Sequence, residues 1–392
     1  MKRVKFSMVD NEDLIYSQLR KEIDEHMPVN FPSTESGTEI RILKQLFTPE
    51  EAKIALNLSA LPESVKKIHK RVTNSGINIS MEELEETLER MVQKGAIMGG
   101  KIFPKPKHYS LAQFAVGIYE FQVDRQTKEF AEEAEKYHTE IFYKEINRKD
   151  HLGQIRTIPV EKSLTPEYYV NTYDNIREII NNVKGPIAVR NCVCRESKDL
   201  IGDSCKSGDL RRCCIAFNNT AEYVLNTSNT SAIQVSKEEI LNLLDEYQKA
   251  GLILQPENNQ NPNFICVCCG CCCGVLRGLK QLPRPSEYFM SNYIAQLSPE
   301  LCNGCGICVS RCQMDAITMI DDKSTVDLDR CIGCGNCVTV CKREARKLIK
   351  KENNKHIPPR DQYTLYRKIM MKKRGLIGTL MMLGDMLTGK KI

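Results

Sequence analysis

Residues 302–341 decide the fold of the C-terminal part of the chain, and they read CNGCGICVSRCQMDAITMIDDKSTVDLDRCIGCGNCVTVC. The stretch contains the spacing Cys-x2-Cys-x2-Cys-x3-Cys twice, first over 302–312 and again over 331–341. Two residues between cysteines allow three thiolates to converge on one metal centre while backbone amides reach its sulfurs. Zinc sites usually pair two Cys-x2-Cys units instead, so this spacing favours iron–sulfur ligation over two zinc sites.

The repeated spacing resembles that of the bacterial two-cluster ferredoxin, in which the fourth cysteine of each run binds the cluster of the other run. The resemblance implies two [4Fe–4S] clusters, one on Cys302, Cys305, Cys308 and Cys341 and the other on Cys331, Cys334, Cys337 and Cys312. Gln313 and Lys342 stand where the family usually has a proline. Between the runs, we expect residues 316–320 and 325–328 to pair as a hairpin.

Eleven further cysteines precede these runs and form a cysteine-rich middle segment, whereas residues 1–191 contain none. Neighbouring side chains diverge in a strand or a helix, so adjacent cysteines cannot all face one centre. We expect at least one additional Fe–S cluster here, and zinc binding or reactive thiols are the alternatives. The candidate ligands are Cys192, Cys194, Cys205, Cys214, Cys266, Cys269 and Cys272. The Cys-Cys-Gly pieces of this segment resemble those of heterodisulfide-reductase-type proteins.

The N-terminal half carries helix signals and resembles a winged helix-turn-helix module. Capping boxes begin at Thr48, Ser80 and Ser236, and helices are predicted over 49–59, 63–74, 81–94, 126–146 and 166–182. Residues 96–109 are predicted to form a hairpin. The helix before this hairpin would enter the DNA groove, but it carries five glutamates, which phosphates repel. A protein-contact or scaffold role is therefore favoured over DNA binding.

Charge and hydropathy bear on location and partners. The net charge is +6, but residues 342–392 hold 15 Lys or Arg against 4 Asp or Glu. The start of the chain turns acidic before any apolar segment forms, and no run of 18 apolar residues follows. We expect a cytoplasmic protein whose basic C-terminal part orients an acidic redox partner. Residues 363–387 suit either a peripheral membrane contact or a helix that packs on protein, and packing is favoured.

These features predict an α+β, multi-domain protein. The expected layout is a helical, winged-helix-like domain (1–110), a helical connector (111–185), a cysteine-rich module (186–290), a ferredoxin-like dicluster domain (291–350) and a basic amphipathic tail (351–392). The content as a whole resembles ferredoxin-domain proteins of anaerobes.

The expected function is the relay of single electrons through two ferredoxin-type clusters, as a component of an oxidoreductase system. The sequence contains no recognisable flavin, nicotinamide or small-molecule substrate motif and no nucleophile–base arrangement. A complete enzyme in one chain is therefore not favoured. Two alternatives stay open: a redox-sensing regulator that uses the winged-helix-like module, and an oxidoreductase whose catalytic centre lies between Cys192 and Cys273.

Overall fold

The structure is a computed structural model that describes residues 11–100, 107–146, 152–164, 171–227, 230–352, 356–387 and 391. Of the described residues, 47% are helical and 15% lie in strands, and the chain contains a cysteine-rich region. It divides into two compact units, which are described separately. The first comprises 1–122, 129–142 and 373–392, and the second comprises 123–128 and 143–372.

The first unit is largely helical. Its elements, with the one helix that begins at its border, are α1 (Asn11–His26), α2 (Thr38–Leu46), α3 (Pro49–Ala55), β1 (Glu63–Ser64), α4 (Val65–Asn74), α5 (Met81–Gln93), β2 (Met98–Gly100), β3 (His108–Ser110) and α6 (Lys128–Tyr137). The strands form a sheet of order β1-β3-β2. At the start of α3 the backbone N–H of Glu51 donates to Thr48 Oγ1 at 3.2 Å, and that of Thr48 donates back to Glu51 Oε2 at 2.9 Å. This reciprocal pair fixes where the helix begins.

Most helices predicted in the N-terminal half are present with shifted ends. The helix predicted over 49–59 ends at Ala55, and the one predicted over 63–74 begins at Val65 because Glu63 and Ser64 pair with β3. The hairpin predicted over 96–109 pairs β2 with β3, although residues 101–106 lie outside the described part. Of the helix predicted over 166–182, residues 166–170 lie outside the described part. In the rest of that range an α-helix begins at Ile176, where the Asn175 side chain accepts from backbone N–H groups of the first turn.

The second unit is built on an antiparallel sheet of order β6-β4-β5-β8-β7. Its elements before the ferredoxin-like runs are α7 (Tyr143–Ile146), α8 (Ile176–Asn182), β4 (Ile187–Asn191), α9 (Val193–Leu200), β5 (Arg212–Phe217), α10 (Asn218–Asn226), β6 (Ile233–Val235), α11 (Lys237–Lys249), β7 (Ile253–Pro256), β8 (Phe264–Cys268) and α12 (Gly274–Lys280). Buried Ile215, Phe217, Ile265 and Val267 of the central strands belong to its core. Because β5 and β8 also carry cysteines, this sheet sets the positions of the cysteine-rich region.

The ferredoxin-like segment adds two short antiparallel pairs. Its elements are β9 (Tyr293–Leu297), α13 (Ile307–Arg311), β10 (Ile317–Ile320), β11 (Lys323–Val326) and β12 (Arg346–Lys350). β9 pairs with β12, and β10 pairs with β11. The predicted hairpin is present, but Asp321 and Asp322 alone form its turn, with φ of 45° and 57°. Both values lie in the left-handed region that a two-residue hairpin turn requires and that Asp tolerates.

The last helix, α14 (Gln362–Leu387), is interrupted at Gly375, whose φ is 66°. Leu365 and Ile369 are buried before the interruption, whereas Ile377 and Met381 after it are largely exposed. The basic residues that follow residue 372 contact the end of α1: Lys373 Nζ donates to the carbonyl oxygen of Met27 at 2.8 Å, and Arg374 donates to that of Glu25 at 3.2 Å. None of the helices in the described residues is long and apolar enough to cross a bilayer.

Candidate metal centres

Four of the ferredoxin-like cysteines line one cavity. Its wall contains Cys312 from the first run and Cys331, Cys334 and Cys337 from the second, with Ala295, Met314, Ala316, Ile317, Val326 and Ile332 among the remaining wall residues. The structure thus brings together the four cysteines of one predicted ligand set, including the one that comes from the other run. An apolar wall around sulfur donors is the environment that limits solvent access to a metal centre.

Backbone amides donate hydrogen bonds to sulfurs of this set. The N–H of Ala295, on β9, donates to Cys331 Sγ at 3.4 Å, and the N–H of Ala316 donates to Cys312 Sγ at 3.3 Å. Burial raises the pKa of the Cys334 thiol to about 12. A bound cation would overcome this preference for the protonated thiol, because a coordinated thiol is deprotonated. Amide donors to sulfur are one of the means by which a protein sets cluster potential.

The loops between these cysteines need glycine for a steric reason. Gly333 has a φ of 68°, and a Cβ there would lie 2.1 Å from the carbonyl oxygen of Tyr293. Gly304 occupies the equivalent place in the first run, where a Cβ would lie 2.3 Å from the carbonyl oxygen of Asp322. A side chain at either site would combine backbone strain with a direct clash.

The other predicted set, Cys302, Cys305, Cys308 and Cys341, lies closer to the surface. Cys308 in α13 is buried, Cys305 is exposed, and Cys302 and Cys341 are half-buried. The Ser324 side chain on β11 lies 3.5 Å from Cys302 Sγ, and hydrogen bonds from Ser324 and Gly304 lower the pKa of Cys302 to about 7. That thiol is therefore partly ionised near neutral pH, which suits a metal ligand.

Nine of the eleven middle cysteines fall into two groups. The four-thiol group consists of Cys205, Cys269, Cys271 and Cys272, whose sulfurs all lie within 4.8 Å of one another. The five-thiol group is a chain of thiol contacts in which Cys194 reaches Cys192 and Cys273, and Cys268 reaches Cys266 and Cys273. The two groups therefore form separate sets of sulfur donors.

The local backbone explains why cysteines that are adjacent in sequence belong to different groups. Cys268 ends β8 and joins the five-thiol group, whereas Cys269 is the next residue and joins the four-thiol group. Cys272 and Cys273 separate in the same way before α12. Hydrogen bonds within each group lower the pKa of one thiol: Cys272 lowers that of Cys269 to about 4, and Cys194 lowers that of Cys273 to about 5.

These groupings divide the candidate ligands predicted for the cysteine-rich segment. Cys205, Cys269 and Cys272 lie together, and Cys192, Cys194 and Cys266 lie in the other group, with Cys214 paired opposite Cys266 across β5 and β8. The two groups also contain Cys268, Cys271 and Cys273, which were not among the expected ligands. Side chains alternate between the two faces of β8, and this alternation could have indicated which cysteines lie together. Using it requires knowing that the strand ends at Cys268.

A buried arginine lies beside both groups. The Arg195 side chain is fully buried in α9, and its Nε and Nη2 have no hydrogen-bond partner in the described part of the chain. Burial alone would lower its pKa, but the sulfurs of Cys213, Cys269, Cys192 and Cys205 raise it instead. A buried guanidinium needs a compensating negative charge, and thiolates held by a metal centre supply one.

Gln313 connects the ferredoxin-like segment to the cysteine-rich region. Its Oε1 accepts from the N–H of Gly270 at 2.8 Å, and its Nε2 donates to the carbonyl oxygen of Gly251 at 3.2 Å. A Cβ on Gly270 would lie 2.2 Å from the carbonyl oxygen of Gln313. Gln313 follows Cys312, and Gly270 lies between Cys269 and Cys271, so this hydrogen bond joins a residue next to a ferredoxin-like cysteine to a turn of the cysteine-rich region. The side chain that replaces the usual proline thus has a structural role.

Comparison with known proteins identifies one part of the chain. Residues 301–356 match the family described as the 4Fe-4S dicluster domain. No curated protein and no solved structure matches the chain significantly. The cavity lined by sulfur donors, the amide donors to those sulfurs and the uncompensated Arg195 all fit an iron–sulfur group.

Proposed function

We propose that the ferredoxin-type 4Fe-4S domain at residues 301–356 holds two [4Fe–4S] clusters and that the protein relays single electrons. The family match and the cysteine cluster support iron–sulfur electron transfer in general. One ligand set is Cys331, Cys334, Cys337 and Cys312, and the other is Cys302, Cys305, Cys308 and Cys341. The observation that carries the proposal is the cavity in which Cys312 joins the three cysteines of the second run.

Such clusters supply one-electron chemistry, and the chain's own residues set its conditions. The apolar wall formed by Ala295, Ala316 and Ile332 excludes water from the cavity. The amides of Ala295 and Ala316 stabilise the charge on Cys331 and Cys312. The set that contains the exposed Cys305 lies nearer to solvent, which suits exchange of electrons with an external partner.

The five-thiol group is the proposed site of an additional Fe–S cluster. It gathers Cys192, Cys194, Cys266, Cys268 and Cys273 from β8 and from the starts of α9 and α12. This number exceeds the four thiolates that one cubane requires. The hydrogen bond from Gly270 to Gln313 connects the turn that follows Cys268 and Cys269 to the ferredoxin-type domain.

A component role in an oxidoreductase system follows from this arrangement. We propose a cytoplasmic protein with an acidic redox partner, because residues 342–392 carry an excess of eleven positive charges. Part of that charge is engaged internally, since Lys373 and Arg374 bind carbonyl oxygens at the end of α1. The oxidoreductase alternative places the catalytic centre at the five-thiol group and is favoured by its surplus of sulfur donors.

Iron and acid-labile sulfide content, measured on anaerobically purified full-length protein, tests the proposal. The two ferredoxin-type clusters alone account for about eight irons and about eight sulfides per chain, and an additional cluster raises both to about twelve. Cys334→Ala should remove the iron and sulfide of one cluster. Cys213→Ala, at a buried cysteine outside the proposed ligand sets, should leave both unchanged. Wild-type protein with zinc and without sulfide would refute the proposal.

A further inference from the structure

The spacing of the sulfurs in the four-thiol group matches ligation of one metal ion. Cys205 Sγ lies 3.7 Å from Cys269 Sγ and 3.8 Å from Cys271 Sγ, and Cys271 Sγ lies 3.7 Å from Cys272 Sγ. Four thiolates at tetrahedral corners, each ~2.3 Å from a central ion, lie ~3.8 Å apart. In a cubane each thiolate binds a different iron, so its ligands lie farther apart than thiolates that share one ion.

The surrounding charge favours thiolates over a cluster of neutral thiols. Contacts of 3.7–3.8 Å between sulfurs are also compatible with S–H···S hydrogen bonds. Neutral thiols, however, would supply no negative charge to the buried guanidinium of Arg195, whose Nε and Nη2 have no hydrogen-bond partner among the described residues. Four thiolates around one divalent cation carry a net charge of −2, which compensates this cation.

We propose that Cys205, Cys269, Cys271 and Cys272 bind a single transition-metal ion, zinc or iron, in a tetrahedral tetrathiolate site. This site is distinct from the clusters of the ferredoxin-type domain and from the five-thiol group. Protein sulfurs occupy all four coordination positions of the ion, which leaves no position for a substrate. Such a site stabilises the fold or transfers an electron. A tetrahedral S₄ donor set selects zinc or iron among the common metals.

The site fastens the loop before β5 to the turn before α12. Cys205 comes from the connection between α9 and β5, 64 residues before Cys269 in sequence. The turn 269–272 is held from the other side by Gln313, which accepts from the N–H of Gly270. Gly270 lies between two of the proposed ligands and is hydrogen-bonded to the residue that follows Cys312. A bound ion would therefore stabilise the turn that contacts the ferredoxin-type domain.

The test compares metal with sulfide in anaerobically purified full-length protein. Wild type should carry about one zinc or iron ion per chain beyond the iron that matches its sulfide. Cys271→Ala and Cys205→Ala should each lose that ion while sulfide stays unchanged. Cys213→Ala is the matched control, because Cys213 is also buried near Arg195 but lies outside the four-thiol group, and it should retain the ion.

X-ray absorption of the wild-type protein gives a readout that needs no variant. If the ion is zinc, the zinc edge should report four sulfurs at ~2.3 Å and no metal neighbour. If it is a single iron, zinc is absent and iron exceeds sulfide by about one equivalent. Loss of sulfide together with iron in Cys271→Ala would overturn the inference in favour of a cluster. Wild-type protein without the extra ion would overturn it as well.

Discussion

Removing the Gln313 side chain should loosen the turn that carries Cys269–Cys272. Gln313→Ala leaves the N–H of Gly270 without its acceptor, whereas the carbonyl oxygen of Gly251 keeps a second donor, Asn336 Nδ2, at 2.9 Å. One orphaned buried donor costs ~1–3 kcal/mol. Since 1.4 kcal/mol is a factor of ten, local opening at Gly270 should become roughly 5–150-fold more frequent.

Hydrogen–deuterium exchange read by mass spectrometry measures this opening directly. The peptide that contains Gly270 should exchange faster in Gln313→Ala, while peptides of α1 should exchange as in wild type. Gln296→Ala is the matched control, since Gln296 is exposed on β9, and it should leave the Gly270 peptide unchanged. Equal exchange of that peptide in Gln313→Ala and wild type would refute the inferred link between the ferredoxin-like segment and the cysteine-rich region.

Three further outcomes are expected. Asp174→Ala should lower the free energy of unfolding by ~3–5 kcal/mol, because the Arg156–Asp174 pair is buried at 2.8 Å; denaturant unfolding should show a much smaller change for Asp245→Ala, whose partner Lys162 is exposed. Gly333→Ala should lose the iron of one cluster, about four atoms per chain. Gly306 has a φ of 71° but open space around it, so Gly306→Ala should retain the full iron content. Equal iron content in the two variants would contradict the claim that a clash at residue 333 causes the loss. Burial lowers the pKa of His356 to about 4, so the unfolded chain takes up its proton first on acidification. The free energy of unfolding should therefore fall between pH ~6.5 and ~4, and His356→Gln should flatten this dependence; an unchanged profile would exclude His356 as its source.

The spacing of the ferredoxin-like runs was enough to predict the most informative part of the molecule. Eight cysteines at fixed intervals predict a dicluster domain, and the family match at 301–356 supports a ferredoxin-type 4Fe-4S domain. The hairpin between the runs was also predicted, because a polar stretch separates two short apolar ones. Its two-residue turn at Asp321 and Asp322 was not, since their left-handed conformation is set by the pairing of β10 with β11.

The grouping of the middle cysteines could not be predicted from spacing. Cys205 and Cys269 are 64 residues apart and meet at 3.7 Å, whereas Cys268 and Cys269 are adjacent and belong to different groups. Which cysteines share a centre depends on where β8 ends and how the following turn is held. Part of that turn's geometry comes from Gln313, which lies 43 residues beyond Gly270. A contact between residues so far apart in sequence can be identified only when the folded structure is known.

The most direct test of the central claim is a spectroelectrochemical titration of the anaerobically purified protein, followed by electron paramagnetic resonance. The account predicts at least two one-electron steps per chain between about −700 and +450 mV, the range of protein-bound iron–sulfur clusters. Each step should follow the one-electron Nernst equation, in which the ratio of oxidised to reduced cluster changes tenfold for every ~59 mV of applied potential. It also predicts that Cys312→Ala alters the cluster held by Cys331, Cys334 and Cys337. A protein that takes up no electrons in this range, or a Cys312→Ala variant with unchanged spectra, would contradict it.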